Sequence, residues 1–381
     1  MSTDSWTWRR VWRSEANSSL TTIHQFLPQL RPYDAVTSHA LAMQAAFRRA
    51  GMESRIWADA IHPALRSQGE PRGKFGSLTR SRSSSRRVLL YQAFVGAGDL
   101  VGFLVDRDEP LVVYYHNIAP ASFLWPYDHP SAALMEQGRE DVGRLVPRIR
   151  LALAASQFSA RELRDWGVND VRIVMPSVRP GRLAEPDVKR LRWLRQSKRG
   201  IDLLFVGRVV PHKGHQHLLR VLALLRALTQ RDVRLFAVGS EGPEAYMLTL
   251  TGLAKRLGLE DSAIFTGPVT EAELAAHYEA ADVFLCLSEH EGFCIPLLEA
   301  MRAELPVVAY AAGAVSETLD GSGILLGGLD PYVVAEVVST VVSDEALRRQ
   351  ICARQRERAA ELDRFDWNGV LVDAVHEAAK S

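Results

Sequence analysis

Short apolar segments alternate with longer helical segments along most of the chain, and this alternation restricts the fold more than any other feature. Leu111–Tyr115, Ile201–Val206 and Val233–Val238 are apolar at most positions, as expected for strands that are buried on both faces. Parallel strands are joined by long crossovers, which are usually helices. The pattern therefore predicts an α/β protein with doubly wound, mostly parallel sheets.

The alternation is interrupted at residues 181–200, where Pro186 and a run of basic residues replace the strand–helix pattern. A chain of 381 residues has room for about two domains. We therefore predict a first Rossmann-like domain at 1–180, a linker at 181–200 and a second Rossmann-like domain at 201–364. A final helix follows the last strand of the second domain.

Composition excludes several classes of protein. Apolar residues make up 47% of the chain, enough for two packed cores, and a formal net charge of +1 gives no reason to expect a nucleic-acid partner. Residues 1–20 lack the continuous apolar core of a signal peptide, and no apolar run is long enough to cross a bilayer. Three cysteines in no paired or metal-like spacing favour a reducing compartment. We expect a soluble, cytoplasmic protein.

A basic segment at 65–87 holds seven Lys or Arg residues and one acid, Glu70. Its Ser, Gly and Arg content is typical of a solvated surface loop, which is the favoured interpretation. The alternative is a basic patch that contacts anionic lipid or a phosphorylated acceptor. That alternative would place the protein peripherally at the inner face of a membrane.

The most informative motif follows a predicted buried strand at 282–287. Glu291 and Glu299 are separated by seven residues, with Gly292 at the turn and Pro296 at the start of a predicted helix. Ligands bind at the carboxyl ends of strands in an open α/β sheet, and free amides at a helix start favour phosphate. Either acid alone is explained by its interaction with the helix dipole. The whole motif favours a ligand that carries hydroxyls and a diphosphate.

Two cations follow the first strand of the second domain, where Gly207 precedes Arg208 and Lys213 precedes Gly214. Arg offers a fork of donors for phosphate oxygens, and Lys offers a compact charge. Each cation alone is more readily explained as a surface residue. Together, at the end of one strand, they predict phosphate binding in the same crevice.

Histidines occur at two places. His116 ends a central strand of the first domain and is equally consistent with a structural and a catalytic role. His212, His215 and His217 lie in a loop-to-helix segment without supporting carboxylates, so we predict solvated or cleft residues and no bound metal. The absence of a GxxxxGK[ST] sequence disfavours a P-loop ATPase.

Taken together, these motifs resemble those of retaining glycosyltransferases of the family-four, glycogen-synthase-like group, which have the GT-B fold. The match is specific within 202–326, where Val-Gly-Arg at 206–208, Lys-Gly at 213–214, Phe-Thr-Gly at 265–267, Glu-Gly-Phe at 291–293 and Ala-Gly-Ala-Val-Ser-Glu at 312–317 occur in order. The first domain matches more loosely, through Tyr-His-Asn at 115–117 and Ala-Ser-Gln-Phe at 155–158. The resemblance implies two Rossmann-like domains that face a central cleft, with the helix at 365–381 crossing back to the first.

The resemblance also implies roles for individual residues. A nucleotide-diphosphate sugar would occupy the second domain, and an acceptor the first. Arg208 and Lys213 would bind the diphosphate beside Gly207, Glu291 would lie by the donor sugar, Gly292 and Phe293 would offer it amides, Glu299 would hold the ribose, Val269 would flank the base, and His116 would contact the sugar from across the cleft. Catalysis would be electrostatic and positional, with fixed cations in place of a metal and no cofactor.

One departure from the family affects the acceptor side. The loop after the first strand reads Leu-Arg-Pro-Tyr-Asp-Ala at 30–35, without the paired glycines that are common in the family. No acceptor residue is therefore assigned, and Gln92 is expected to line that side. We predict a retaining hexosyltransferase that builds a glycan or glycolipid. The alternatives are a sugar-nucleotide epimerase of the same fold and a sugar-nucleotide-binding protein without turnover.

Overall fold

The computed structural model describes residues 21–32, 34–76, 86–176 and 183–380. Within them the chain forms two sheets of seven and six strands, and the paired strands are parallel. These sheets confirm the predicted α/β class with two doubly wound layers. The amino-terminal tail and residues 77–85 of the basic segment lie outside the described residues.

The first sheet has the order β3-β2-β1-β4-β5-β6-β7. Its strands are Thr21–Leu30 (β1), Glu53–Ile61 (β2), Glu70–Pro71 (β3), Arg86–Ala93 (β4), Leu111–Tyr115 (β5), Ile149–Ala154 (β6) and Val171–Ile173 (β7). Chain order reverses between β1 and β4. A crevice is therefore expected outside the carboxyl ends of these two strands.

The second sheet has the order β10-β9-β8-β11-β12-β13. Its strands are Ile201–Val206 (β8), Val233–Val238 (β9), Ala263–Gly267 (β10), Val283–Cys286 (β11), Val307–Tyr310 (β12) and Ile324–Leu326 (β13). Here the chain order reverses between β8 and β11. The two predicted donor motifs follow these two strands, so the sheet order brings them side by side.

Helices connect the strands and cover the sheets. Their bounds are Ala35–Arg49 (α1), Asp99–Val105 (α2), His129–Leu145 (α3), Gln157–Asp165 (α4), Val188–Ser197 (α5), His215–Thr229 (α6), Glu244–Arg256 (α7), Glu271–Ala280 (α8), Ile295–Arg302 (α9), Val315–Leu319 (α10), Pro331–Ser343 (α11), Glu345–Asp363 (α12) and Trp367–Lys380 (α13). Side chains cap two of these helices, because Asp34 accepts from the Thr37 amide at 2.8 Å before α1 and Ser156 accepts from the Ser159 amide at 3.2 Å before α4.

The last helix packs on the first sheet although it follows the second in sequence. Leu371 and Val375 of α13 are fully buried in one cluster with Ile23 of β1 and Val88 of β4. Burial of such side chains is the main favourable term in folding, so α13 contributes to the stability of the first sheet. None of the helices that the structure describes is both long enough and apolar enough to cross a membrane.

The structure differs from the sequence prediction in a few short elements. β3, α2 and β13 were not predicted, because they are two, seven and three residues long and give no clear periodicity. The basic segment at 65–87 was predicted to be a loop, but it includes β3, the start of β4 and the buried side chain of Phe75. The predicted linker at 181–200 contains α5, whose Leu194 is buried in the core of the second sheet. The division into domains stays a prediction.

Candidate active site

A buried ion pair lies where β8 and β11 end side by side. The Lys213 ammonium donates to both carboxylate oxygens of Glu291, at 2.7 and 2.8 Å. The Glu291 side chain is 5% exposed and the Lys213 side chain 22% exposed. Burial opposes the charge on Lys213, but the Glu291 carboxylate, together with Cys294 and Cys286, raises the pKa of Lys213 above its ordinary value. The cation therefore stays charged in this setting.

A sharp turn brings Lys213 to Glu291. Lys213 ends the short 3-10 helix Pro211–Lys213, and Gly214 follows with a φ of +71°. A Cβ on Gly214 would lie 2.0 Å from the carbonyl oxygen of Leu287. Both the left-handed backbone and this contact require glycine. The turn after β8 is thus packed tightly against the end of β11.

The loop that carries Glu291 is held from two sides. The Glu289 amide donates to the His212 carbonyl at 2.8 Å, and the Ala314 amide donates to the Glu291 carbonyl at 2.9 Å. Backbone contacts from both neighbouring loops therefore position Glu291 without a ligand. Such preorganisation is what electrostatic catalysis requires.

Arg208 lies near the ion pair but is open to solvent. Its side chain is exposed, and its Nε donates to the Glu241 carbonyl at 3.5 Å. Burial lowers the pKa of His212, and the charges of both Lys213 and Arg208 lower it further. A Cβ on Gly207, the residue before Arg208, would lie 4.0 Å from Cδ of Lys213, so the backbone at Arg208 passes close to the Lys213 side chain. The assignment of both cations to a diphosphate stays a prediction.

The loops of the two sheets meet at Gly292. A Cβ on Gly292 would lie 2.7 Å from the Cβ of Asn117 and 3.2 Å from the carbonyl oxygen of His116. In addition, a ring nitrogen of His290 is hydrogen-bonded to the Asn117 side-chain oxygen. The missing side chain of Gly292 therefore allows the loops of the two sheets to pack against each other.

Glu299 lies on α9, the helix that follows the Glu291 turn. It is the fifth residue of α9, one turn beyond the start, and the Tyr278 hydroxyl donates to its carboxylate at 2.8 Å. Burial raises the pKa of Glu299. Among the described residues, no hydrogen bond or ion pair joins Glu299 to Lys213 or Glu291. Its assignment to the ribose stays a prediction.

The other predicted donor-side residues are mainly packed. The Phe293 side chain is 8% exposed, and its carbonyl accepts from the Thr318 hydroxyl at 2.6 Å. Val269 packs partly buried against the core of the second sheet. The Gly207 amide donates to the Val238 carbonyl at 2.9 Å, which places Gly207 directly after β8.

Two cysteines converge on Glu291, which their spacing in the sequence did not indicate. Cys286, Glu291 and Cys294 offer ligand atoms that all lie within 4.8 Å of one another. This is the kind of set that holds a metal, but the Lys213 ammonium lies 2.7 and 2.8 Å from the Glu291 oxygens, and its positive charge would repel a metal ion there. The prediction of no bound metal stays a prediction.

The histidines after β8 are less solvated than we predicted. His215 is 1% exposed and packs edge-on against Phe205, with ring centroids 4.8 Å apart. The expected lack of a carboxylate partner was wrong for His217, because a His217 ring nitrogen lies 3.2 Å from a Glu289 carboxylate oxygen. The signal was present in the motif, since Glu289 is two residues before Glu291.

His116 reaches the same junction from the first sheet. Its Nε2 lies 2.7 Å from Oε1 of Gln92, and burial lowers the pKa of His116 well below the ordinary value of 6.5. We expected Gln92 to line the acceptor side. Instead Gln92 is fully buried behind His116, because its side chain points from β4 toward helix α1.

A carboxylate joins the two halves at a second point that sequence reasoning missed. Glu317 of α10 accepts from the Gln157 amide at 2.7 and 2.9 Å and from the Phe158 amide at 3.3 Å. Gln157 and Phe158 begin α4 of the first sheet. A carboxylate at the free amides of a helix start is favourable. The family motif at 312–317 marked Glu317 as part of a pattern but gave no partner.

Sequence comparison connects the chain to proteins of known activity. The family described as glycosyl transferases group 1 matches residues 192–358. A D-inositol 3-phosphate glycosyltransferase of Kineococcus radiotolerans is 33% identical over 336 residues, covering 78% of this chain and 72% of that protein. A protein of the same name from Xylanimonas cellulosilytica is 30% identical, covering 90% of this chain and 91% of that protein.

Solved structures share the fold. The Anabaena protein HepE in complex with UDP and glucose has a TM-score of 0.71, with 94% of this chain and 99% of that chain covered and 19% identity. WaaG, a glycosyltransferase involved in lipopolysaccharide biosynthesis, has a TM-score of 0.64, with 94% and 98% covered and 17% identity. At such low identity these matches support the fold, and function must be argued from the site.

Proposed function

The chain belongs to the group 1 glycosyltransferases and has the GT-B fold, and from this premise we propose that it moves a hexosyl group from a nucleotide-diphosphate sugar to a glycan or lipid-linked acceptor with retention of the anomeric configuration. The observation that carries the proposal is the Lys213–Glu291 ion pair at the reversal point of the second sheet. Ligands bind at such points in open α/β sheets.

In this proposal the transferase needs no metal. As the bond to the anomeric carbon breaks, negative charge grows on the leaving diphosphate, and Lys213 and Arg208 stabilise that charge. Fixed charges in a partly desolvated site are effective because they need not reorganise during the reaction. Glu291 accepts hydrogen bonds from hydroxyls of the donor sugar, and Glu299 accepts them from hydroxyls of the ribose. His116 contacts the sugar from the first sheet.

The names of related proteins suggest which substrates to try first. HepE was solved with UDP and glucose, so UDP-sugars head the donor screen, followed by GDP- and ADP-sugars. Two relatives are named for D-inositol 3-phosphate, so inositol phosphates head the acceptor screen, beside glycans and lipid-linked sugars. We place the reaction in the cytoplasm, at or near the inner membrane face. Free cysteines suit a reducing compartment, and the basic segment at 65–87 would supply the membrane contact.

A thermal-shift screen tests the donor site. Nucleoside diphosphates and their sugars should raise the melting temperature of the wild type, and they should do so much less in Lys213→Ala and Glu299→Ala. The matched control is Lys255→Ala, an exposed lysine on α7, which should respond like the wild type. If no nucleoside diphosphate stabilises the wild type, the donor-site proposal is wrong.

Product analysis separates the three candidate functions. A transferase releases nucleoside diphosphate only with a matching acceptor, apart from slow hydrolysis, and the anomeric coupling constant in the product reports retention. An epimerase converts one nucleotide sugar into another without an acceptor. A binding protein gives neither product while still being stabilised by the nucleotide.

A further inference from the structure

A chain of buried hydrogen bonds runs from His116 into the first sheet. Nε2 of His116 lies 2.7 Å from Oε1 of Gln92, and Nε2 of Gln92 donates to Oε1 of Gln25 at 3.0 Å. Nε2 of Gln25 then donates to the carbonyl oxygen of Ala40 at 3.0 Å. Gln92 and Gln25 are both fully buried. These hydrogen bonds run from β4 to β1, the two strands on either side of the reversal point of the first sheet.

The direction of this chain is set at its inner end. A backbone carbonyl only accepts, so Gln25 must turn its amide nitrogen toward Ala40 and its oxygen toward Gln92. Gln92 must then donate to Gln25 and turn its own oxygen toward His116. Reversing either amide would set two oxygens against each other in a buried place and leave both without a hydrogen-bond donor.

The outer end of the chain decides which ring nitrogen of His116 carries the proton. Because Gln92 presents an acceptor, Nε2 of His116 must carry hydrogen. Burial also lowers the pKa of His116, which disfavours a second proton. Nδ1 is then an acceptor, and among the described residues it has no hydrogen-bond partner, although the side chain is partly exposed.

We propose that Gln92 and Gln25 are positioning residues that hold His116 in the Nε2–H tautomer, so that its Nδ1 accepts a hydrogen bond from one hydroxyl of the donor sugar. This inference rests on the proposed function, because it assumes that His116 faces that sugar. It adds a requirement on the substrate class. The sugar must carry a hydroxyl that donates at this place, and a carboxylate or fluorine there is disfavoured because both only accept.

The tautomer is measured directly by proton–nitrogen NMR of protein labelled with ¹⁵N-histidine, with His116→Ala used to assign the His116 signals. The wild type should show protonated Nε2 and unprotonated Nδ1. Gln92→Met keeps the shape of the side chain but removes the acceptor, so both tautomers should be populated. Gln92→Glu should restore the wild-type tautomer, because burial raises the pKa of a carboxyl and a protonated carboxyl donates and accepts like the amide.

Kinetics with the donor selected by the thermal-shift screen give the second readout. Gln92→Met should lower kcat/KM about five- to tenfold, mainly through the donor KM, which is the scale of one neutral hydrogen bond. Gln92→Glu should recover most of that loss. Gln44→Leu is the matched control, because Gln44 is a buried glutamine of α1 that donates to the Ser54 carbonyl and, within the described residues, makes no hydrogen bond to His116, Gln92 or Gln25. It should leave the tautomer and the donor KM unchanged.

The outcomes separate the inference from the proposed function. A wild-type spectrum with Nδ1–H, or an unchanged tautomer in Gln92→Met, overturns the inference even if sugar transfer is normal. A changed tautomer with an unchanged donor KM also overturns it, because the chain of bonds would then be structural only. If the wild type transfers no sugar, the proposed function fails, and the spectrum alone still decides the tautomer.

Discussion

The two walls of the site hold their polar groups in different ways. The donor wall, which we define as Lys213, Glu291 and Glu299, carries full charges, and Lys213 is paired with Glu291 through two short hydrogen bonds. The facing wall, which we define as His116, Gln92 and Gln25, is neutral and linked through amides. Charges act over distance with little regard to direction, whereas amide hydrogen bonds are weak but directional. The donor wall suits a diphosphate, and the facing wall suits a single hydroxyl.

This contrast ranks the effects of mutation. Removing a charge from the donor wall should change the rate most, because charge develops on the leaving group. Changes at the junction between the walls should act through position. A change in the protonation of one carboxyl should have the smallest effect, because only a fraction of the molecules carry that proton near neutral pH.

The largest effect is expected for Lys213→Ala. Loss of the cation should lower kcat/KM about 10²–10³-fold, as removal of one transition-state donor does elsewhere. It should also lower the melting temperature, because Glu291 would be left buried without its partner. The double variant Lys213→Ala/Glu291→Gln should recover stability but not activity. A loss below tenfold in Lys213→Ala would place the leaving group elsewhere.

Gly292→Ala tests the contact between the walls. The new methyl group would lie 2.7 Å from Cβ of Asn117, so the two loops must move apart. A displacement near 1 Å costs about 10²-fold in rate. Gly327→Ala is the control, because no atom lies near a Cβ at that position. Equal activity of both variants would show that the walls tolerate separation.

Glu317→Ala tests the second junction. It removes the hydrogen bonds to the amides of Gln157 and Phe158, a contact worth about 1 kcal/mol. We expect kcat/KM to fall roughly tenfold while nucleoside diphosphate affinity stays near the wild-type value, because the donor wall is intact. Glu357→Ala, an exposed change on α12, is the control. Loss of diphosphate affinity in Glu317→Ala would mean that this contact shapes the donor wall itself.

The smallest effect concerns the pH dependence of Glu299. Burial raises the pKa of Glu299 above the ordinary 4.5, so the folded protein binds this proton more tightly than the unfolded chain does. Its contribution to stability is therefore largest at low pH and is lost as pH rises through the raised pKa. If Glu299 holds the ribose, its carboxylate form should accept the ribose hydroxyls more strongly than the neutral acid does, so nucleoside diphosphate affinity should rise a few-fold over the same window. Titration calorimetry should show a flat profile for Glu299→Gln, and an equally steep one would remove Glu299 from the ribose site.

Sequence reasoning was most accurate where burial and local chemistry coincide. Leu111–Tyr115, Ile201–Val206 and Val233–Val238 were predicted at their observed bounds, because apolar runs and turns are encoded in neighbouring residues. The spacing of Glu291 and Glu299 also indicated a polar turn and a helix after β11, and their assignment to a donor site stays a prediction. The prediction failed for β3, which is only two residues long, and for α5, whose apolar residues lie among basic residues.

The sequence by itself determined the alternation, the α/β class and the positions of Lys213, Glu291 and His116 at strand ends. Tertiary structure alone decided their partners, because contact across a sheet depends on strand order and not on spacing along the chain. Lys213 and Glu291 are 78 residues apart, Gln25 and Gln92 are 67 apart, and Gln157 and Glu317 are 160 apart. Local periodicity reports which side chains are buried. Only the packed sheets determine which of them meet, and so give His116 its tautomer and Gly292 its neighbour.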